Sequence, residues 1–173
     1  MTENVYYTPV ETTWGTFMMA STAKGLCQLH FVRNDSAGFF AWLEKKLGTR
    51  GELKEHLHRD AAKELREYLQ GRRKHFDCPL DLRGTPFQLK VWEQLRAIPY
   101  GETASYGEIA KAVGAPRGAR AVGMANHANP VLLMVPCHRV IGSNGALVGF
   151  GCGLDLKQKL LELEHGGRNC GSI

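Results

Sequence analysis

The chain has no Cys-x-x-Cys pair, no apolar run of membrane-spanning length, no internal repeat and no low-complexity tract. Its five cysteines (27, 78, 137, 152 and 170) are odd in number and scattered, which argues against a disulfide framework and a zinc finger and suits a reducing compartment. No basic start followed by an apolar stretch marks an export signal, so a soluble, cytoplasmic protein is expected. Charge of one sign is not concentrated either. The net charge of +5 comes from 13 basic and 11 acidic residues before Gly84 and 9 and 6 from there on, or +2 and +3. Such a balance permits an anionic partner without requiring one.

Within Thr103–Leu154 acid is scarce: Glu108 stands alone against Lys111, Arg117, Arg120 and Arg139. That positive stretch contains two short helical patterns. Ser105 with Glu108 forms a capping box, and Ile109, Ala112 and Val113 supply one apolar face before Gly114-Ala115-Pro116 breaks the chain. A second helix is expected over about 118–125. Two short helices joined by a tight turn are a helix-turn-helix signature. The second helix lacks the long polar side chains that read base edges, because Ala119, Ala121, Gly123 and Ala125 leave it almost bare. Only Arg120 and Met124 project far. Small residues permit either close helix packing or close approach to a ligand surface.

After this segment the apolar run 131–135 reads as a buried strand ending at Pro136-Cys137-His138-Arg139-Val140. Proline suits the stop of a strand, since it has no N–H to donate. A lone cysteine is most often a small core residue. Here His138 and Arg139 bring donors and positive charge toward the sulfur, which favours the nucleophilic thiolate.

Elsewhere the pattern is ordinary α/β. Residues 5–31 read as strands with turns at 13–16 and Gly25, and 39–47 and 61–69 have helical apolar spacing. Arg72–His75 reads as a solvated, basic helix end. Asp81–Gly84 reads as a linker, and a helix over 86–97 is expected to bury Phe87, Val91, Trp92 and Leu95. Cys27 and His30 have metal-ligand spacing, but no further ligands are evident, so no metal is expected.

Several of these residues together resemble the O6-alkylguanine-DNA alkyltransferases, also called methylated-DNA–protein-cysteine methyltransferases. The likeness rests on Pro136–Val140, Ala119–Gly123, Asn129-Pro130, Gly84–Gln88, Val91-Trp92, Ile98–Gly101 and Tyr106–Ala110, and more weakly on Tyr7–Pro9, Trp14-Gly15 and Gly25-Leu26. It implies an N-terminal ribonuclease-H-like α/β structural domain over residues 1–83. A winged-helix-like DNA-binding and catalytic domain follows over 84–166, then a tail over 167–173.

The resemblance also implies roles. Cys137 accepts the alkyl group, His138 takes the thiol proton through a bridging water, and Glu164 orients the histidine. Tyr106 donates to the leaving guanine. Arg120 fills the gap left by the flipped nucleotide, while Ala119, Ala121, Gly123, Met124 and Arg117 meet the minor groove. Asn129 braces the turn before Cys137. Val140, Val148, Phe150, Gly151, Cys152 and Gly153 line the base pocket. The family commonly has Gly-Tyr-Ser/Ala-Gly-Gly where this chain has Gly149-Phe150-Gly151-Cys152-Gly153, which puts tolerance of bulky adducts in question. Cys152 in that place raises the prospect of a reversible disulfide with Cys137. No cofactor is implied. The implied partner is duplex DNA carrying O6-alkylguanine, with O4-alkylthymine as a second substrate. No membrane partner is implied, and a monomer that clusters on DNA is expected. Three rivals are a damage-recognition relative that binds without reacting, a cysteine hydrolase and a transcription regulator. The first typically has tryptophan at the position of Cys137, the second has no use for the helix pair, and the third needs a better-furnished reading helix.

Overall fold

The computed structural model describes residues 3–149 and 153–166. Two compact units make up the chain: residues 1–83 with 130–132, and residues 84–129 with 133–173.

In the first unit, alternating and continuous apolar stretches form β1 (Tyr6–Thr12), β2 (Gly15–Thr22) and β3 (Gly25–Phe31). They pair antiparallel in sequence order, with a bulge at Ala20/Ser21. A two-residue β4 (Glu52–Leu53) adds parallel to β1, giving the order β3-β2-β1-β4. Phe17 to Ala20 are consecutively buried, so both faces of β2 are covered. Helix α1 (Ala37–Leu47) contributes Phe39 and Leu43 to a cluster with Val5, Met18, Ala20 and Cys27. Cys27 is fully buried and its thiol donates to the Ala20 carbonyl (3.4 Å), while the His30 ring packs tilted against Phe39, with centroids 6.4 Å apart. Both side chains are thus used in packing.

Helix α2 (Arg59–Leu69) ends near Gly71. The basic stretch beyond it is exposed at Arg72, Lys74 and His75, as expected of a solvated helix end, with Arg73 the half-buried exception. Arg73 folds back onto the helix and pairs with Glu67 at 2.9 Å, and also with Asp77 at 3.2 Å. The expected linker is likewise anchored up to Arg83. Asp81 accepts from Thr22 (2.6 Å) and from Arg83, which reaches on to Glu3, while Leu26 exchanges backbone bonds with Pro79 and Asp81. Residues 130–132 pair with β3 through Leu29.

The second unit opens with α3 (Pro86–Arg96), capped by Thr85 and Gln88 in a capping box. Val91, Trp92 and Leu95 are buried, and Phe87 is half-buried. A Cβ on Gly84 would sit 2.6 Å from the Trp92 ring, so only glycine fits beneath that indole. Short β5 (Ala104–Ser105) runs directly into α4 (Tyr106–Ala112), where the expected Ser105–Glu108 capping box is present. Gly114, at φ +80°, closes α4: its N–H and that of Ala115 return to the carbonyls of Lys111 and Ala110. Helix α5 (Ala119–His127) follows, fastened to α3 by the Trp92 Nε1–H donating to the Ala125 carbonyl at 2.8 Å.

The run 131–135 is not a strand. Val131, Leu132 and Val135 make only isolated bridges, and Leu133–Met134 form a turn in which Leu133 adopts φ +70°. Apolar continuity reported its burial correctly but could not reveal the turn. A second short strand, β6 (Val140–Ile141), pairs parallel with β5, and α6 (Leu154–Gly166) completes the unit. No helix among the described residues is long and apolar enough to cross a membrane.

Candidate functional site

Cys137 begins a 3-10 turn, Cys137–Arg139, rather than ending an extended strand. Pro136 precedes the turn, the Cys137 N–H reaches back to the Val135 carbonyl (2.8 Å), and the Arg139 N–H reaches the Pro136 carbonyl (3.0 Å). At three residues per turn, successive side chains diverge by about 120° rather than opposing each other. Cys137 and His138 still point to different sides. Asn129 holds the approach: its Nδ2 donates to the Val135 carbonyl at 2.8 Å and lies 3.3 Å from the Cys137 sulfur. A donor to sulfur favours its anionic form.

Behind the turn lies a fully enclosed charge cluster. His138 Nε2 is 2.8 Å from Glu164 Oε1, and neither side chain has any exposure. Arg139 donates to the same carboxylate through Nε and Nη2 (3.0 and 2.8 Å) and through Nη1 to the Ile98 carbonyl (2.7 Å). The Gly101 N–H adds a longer contact to Glu164 at 3.3 Å. Burial would push the Glu164 carboxyl up, but hydrogen bonds and charge from His138 and Arg139 hold it well below the usual carboxylate range. For His138, burial dominates and lowers the imidazole below its ordinary value, with Glu164 opposing. Because Arg139 already neutralises Glu164, the imidazole can stay neutral and basic.

The β5–β6 pair brings the start of α4 alongside the end of the cysteine turn, and so sets Tyr106 near Cys137. The Tyr106 hydroxyl donates to the carbonyls of Val148 (2.9 Å) and Gly149 (3.2 Å). Lys157 of α6 is fully buried, with its Nζ donating to the carbonyls of Val140 and Val148 (2.9 Å to the latter). It also lies 5.9 Å from the centre of the Tyr106 ring. Burial lowers the Lys157 ammonium, and the charge of a Cys137 thiolate raises it.

Arg117, Ala119, Arg120 and Ala121 are exposed, Gly123 is half-buried, and Met124 is 70% exposed. Between this helix, Tyr106 and the Val148–Gly149 segment lies a cavity of about 1160 Å³. Phe150, Gly151 and Cys152 lie outside the described residues, as does the 167–173 tail. The unit therefore gathers Cys137, His138, Glu164, Asn129 and Tyr106 in one region, and sets the small-residue helix on its exposed side.

Three residues there went unnoticed in the sequence: Lys157, Asn126 and Arg139 as the partner of Glu164. For Lys157 a signal existed. It shares the buried stripe Leu156, Leu160, Leu161 and Glu164 at helical spacing, where an unpaired lysine would be costly.

This arrangement defines a class: a cysteine backed by an imidazole–carboxylate pair and set beside a helix-turn-helix. Residues 86–166 match the family model of the 6-O-methylguanine DNA methyltransferase DNA-binding domain, and residues 5–82 that of its ribonuclease-like domain. A methylated-DNA–protein-cysteine methyltransferase of Methanosarcina acetivorans is 43% identical over 162 residues, covering 92% of this chain and 98% of the relative. One from Mycolicibacterium paratuberculosis is 59% identical over 105 residues, 61% and 64% of the two chains. The Mycobacterium tuberculosis OGT crystallised in complex with DNA superposes with a TM-score of 0.83 at 41% identity, covering 94% of each chain. The chain belongs to the methylated-DNA–protein-cysteine methyltransferase family.

Proposed function

We propose that the chain repairs DNA by direct reversal, moving the alkyl group of O6-alkylguanine in duplex DNA onto Cys137, with O4-alkylthymine as a second substrate. The observation that carries this reading is the buried His138–Glu164 pair directly behind Cys137, in a unit whose exposed helix is small-residue and basic. His138 presents Nε2 to Glu164, so its Nδ1 is the nitrogen that takes the thiol proton, through one water. The thiolate then attacks the alkyl carbon in line with the C–O6 bond. A carbon–sulfur bond forms, the C–O6 bond breaks, and its electron pair enters the base. Tyr106 supplies a proton as the guanine departs.

No protein sulfur can reach that carbon within stacked DNA, so the nucleotide must be flipped out. The near-bare face of α5 allows close approach to the minor groove, with Arg120 occupying the vacated stack and Arg117 and Met124 at the margin. Asn129 keeps the cysteine turn in place. Val140, Val148 and Gly153 contribute to the base pocket, for which Phe150, Gly151 and Cys152 are further candidates. Residues 84–166 would carry binding and chemistry, and residues 1–83 a structural role. The thioether is a poor leaving group, so each molecule reacts once, as a monomer in the cytoplasm.

The test is a single-turnover assay with a duplex carrying one O6-[methyl-³H]guanine. One label per molecule on the Cys137 peptide, absent in Cys137→Ala, is the expected result. Label left on bound DNA would instead mean a recognition protein.

A further inference from the structure

The buried side of α5 carries one polar side chain. Asn126 is only 6% exposed, and neither its Nδ2 nor its Oδ1 has a hydrogen-bond partner. A buried amide without partners is costly, and such groups call for an explanation. Its surroundings suggest one. A Cβ at Gly123, one helical turn earlier on the same face, would lie 3.8 Å from Cε1 of Tyr106, so this face runs along the tyrosine ring. The Tyr106 hydroxyl donates to the Val148 and Gly149 carbonyls, with the Asn126 amide close enough to act on it.

We infer that Asn126 is a positioning residue for the proton donor. When the Tyr106 hydroxyl leaves the loop carbonyls and gives its proton to the departing base, the Asn126 amide N–H takes the phenolate oxygen as its acceptor. The inference rests on the alkyl-transfer reading. In that step the thiolate pair forms the carbon–sulfur bond, the C–O6 pair enters the base, and the phenolic proton passes to a ring nitrogen. The phenolate regains a proton from solvent after the base leaves. The amide makes no well-formed hydrogen bond while the phenol is neutral and donates to the oxygen fully as charge develops, so it stabilises the later state more than the earlier one.

The electrostatics agree. Burial raises Tyr106 above its ordinary value, the Asn126 amide opposes that rise, and a Cys137 thiolate adds to it. The other charge facing the ring is Lys157, whose ammonium is committed to the Val140 and Val148 carbonyls. On α4 itself, Glu108 is occupied in capping at Ser105.

Single-turnover transfer from a duplex bearing one O6-methylguanine, measured from pH 6 to 9 beside the dissociation constant for that duplex, tests the idea. Asn126→Leu keeps the volume and removes the amide. It is expected to slow transfer by about tenfold, a fraction of what proton transfer contributes, with the dissociation constant unchanged within about twofold. Its melting temperature should stay level or rise, since an unpaired amide is gone. In a Tyr106→Phe background the same substitution should have no further effect. Asn126→Asp, similar in shape but without the N–H donors, should also be slow. Wild-type rates in either variant, equal slowing in the Tyr106→Phe background, or a loss of affinity that accounts for the slowing would overturn the inference and leave alkyl transfer standing. A wild-type protein that moves no label to Cys137 would overturn both.

Discussion

Arg139 grips the Glu164 carboxylate through Nε and Nη2 at 3.0 and 2.8 Å, in a place where the carboxylate has no contact with water. Removing one partner of a buried ion pair leaves the other charge stranded, typically at about 3–5 kcal/mol. Arg139→Ala is therefore expected to lower unfolding free energy by about that amount in urea titrations. Arg139→Lys should recover only part, because an ammonium cannot reproduce the two-pronged contact and also reach the Ile98 carbonyl. A fully stable Arg139→Ala protein would contradict this account of the cluster.

Acid should unfold the protein through the same carboxylate. The folded Glu164 titrates below the usual carboxylate range, so the unfolded chain binds its proton first as pH falls. Its stabilising contribution is complete above about pH 5 and is lost progressively below that. Calorimetry should show Glu164→Gln less stable near pH 7 but with a flatter decline of melting temperature between pH 6 and 3. Parallel curves for the two proteins would count against it.

The rate of alkyl transfer should hold up under mild acid. Burial lowers His138, so its basic form persists below the ordinary imidazole value of 6.5. The acid limb of the single-turnover profile is expected below that pH. A limb at or above 6.5 would mean either that Glu164 outweighs burial or that another group limits the rate.

Lys157→Met removes the donors that tie Val140 to Val148. Two carbonyls lose a partner, at about 1–3 kcal/mol for each that stays buried. Faster amide exchange or proteolysis within 142–149 is expected, with slower alkyl transfer and unchanged affinity for DNA. Unaltered exchange would show that the segment is held by other contacts.

Arg117 and Arg120 should separate binding from reaction. If Arg117 meets a phosphate, Arg117→Gln weakens binding to all duplexes and reduces the slope of log affinity against log salt by about 0.9. If Arg120 fills the vacated stack, Arg120→Ala should instead slow transfer far more than it weakens binding to undamaged duplex. Equal salt slopes in both variants would undo that division.

Local signals made much of this structure legible beforehand. The capping box at Ser105, the glycine that closes α4 and the strand turns all depend on neighbours in sequence, and such rules read well; the same signal is there to be read at Thr85–Gln88. The run 131–135 misled because continuous apolarity is common to buried strands and buried turns, and nothing local announces a leucine at φ +70°. Placing Glu164 beside His138 and Arg139 needs contacts across 25 and 26 positions, beyond what any local pattern encodes. The likeness to a family pointed to the first of those contacts. It did not point to Arg139, Lys157 or Asn126, whose placement emerges only once α5 and α6 are packed.

Residues 130–132 complete hydrogen bonds with Leu29 in the N-terminal sheet, although the residues on both sides of them belong to the other unit. No single cut in the chain therefore yields two complete pieces. A gene fragment ending at Arg83 would leave the Leu29 amide without the Pro130 carbonyl, and one starting at Gly84 would carry three apolar-edged residues stripped of their partner strand. The halves match separate family models, yet the first completes its sheet only with three residues that the chain supplies from the midst of the second.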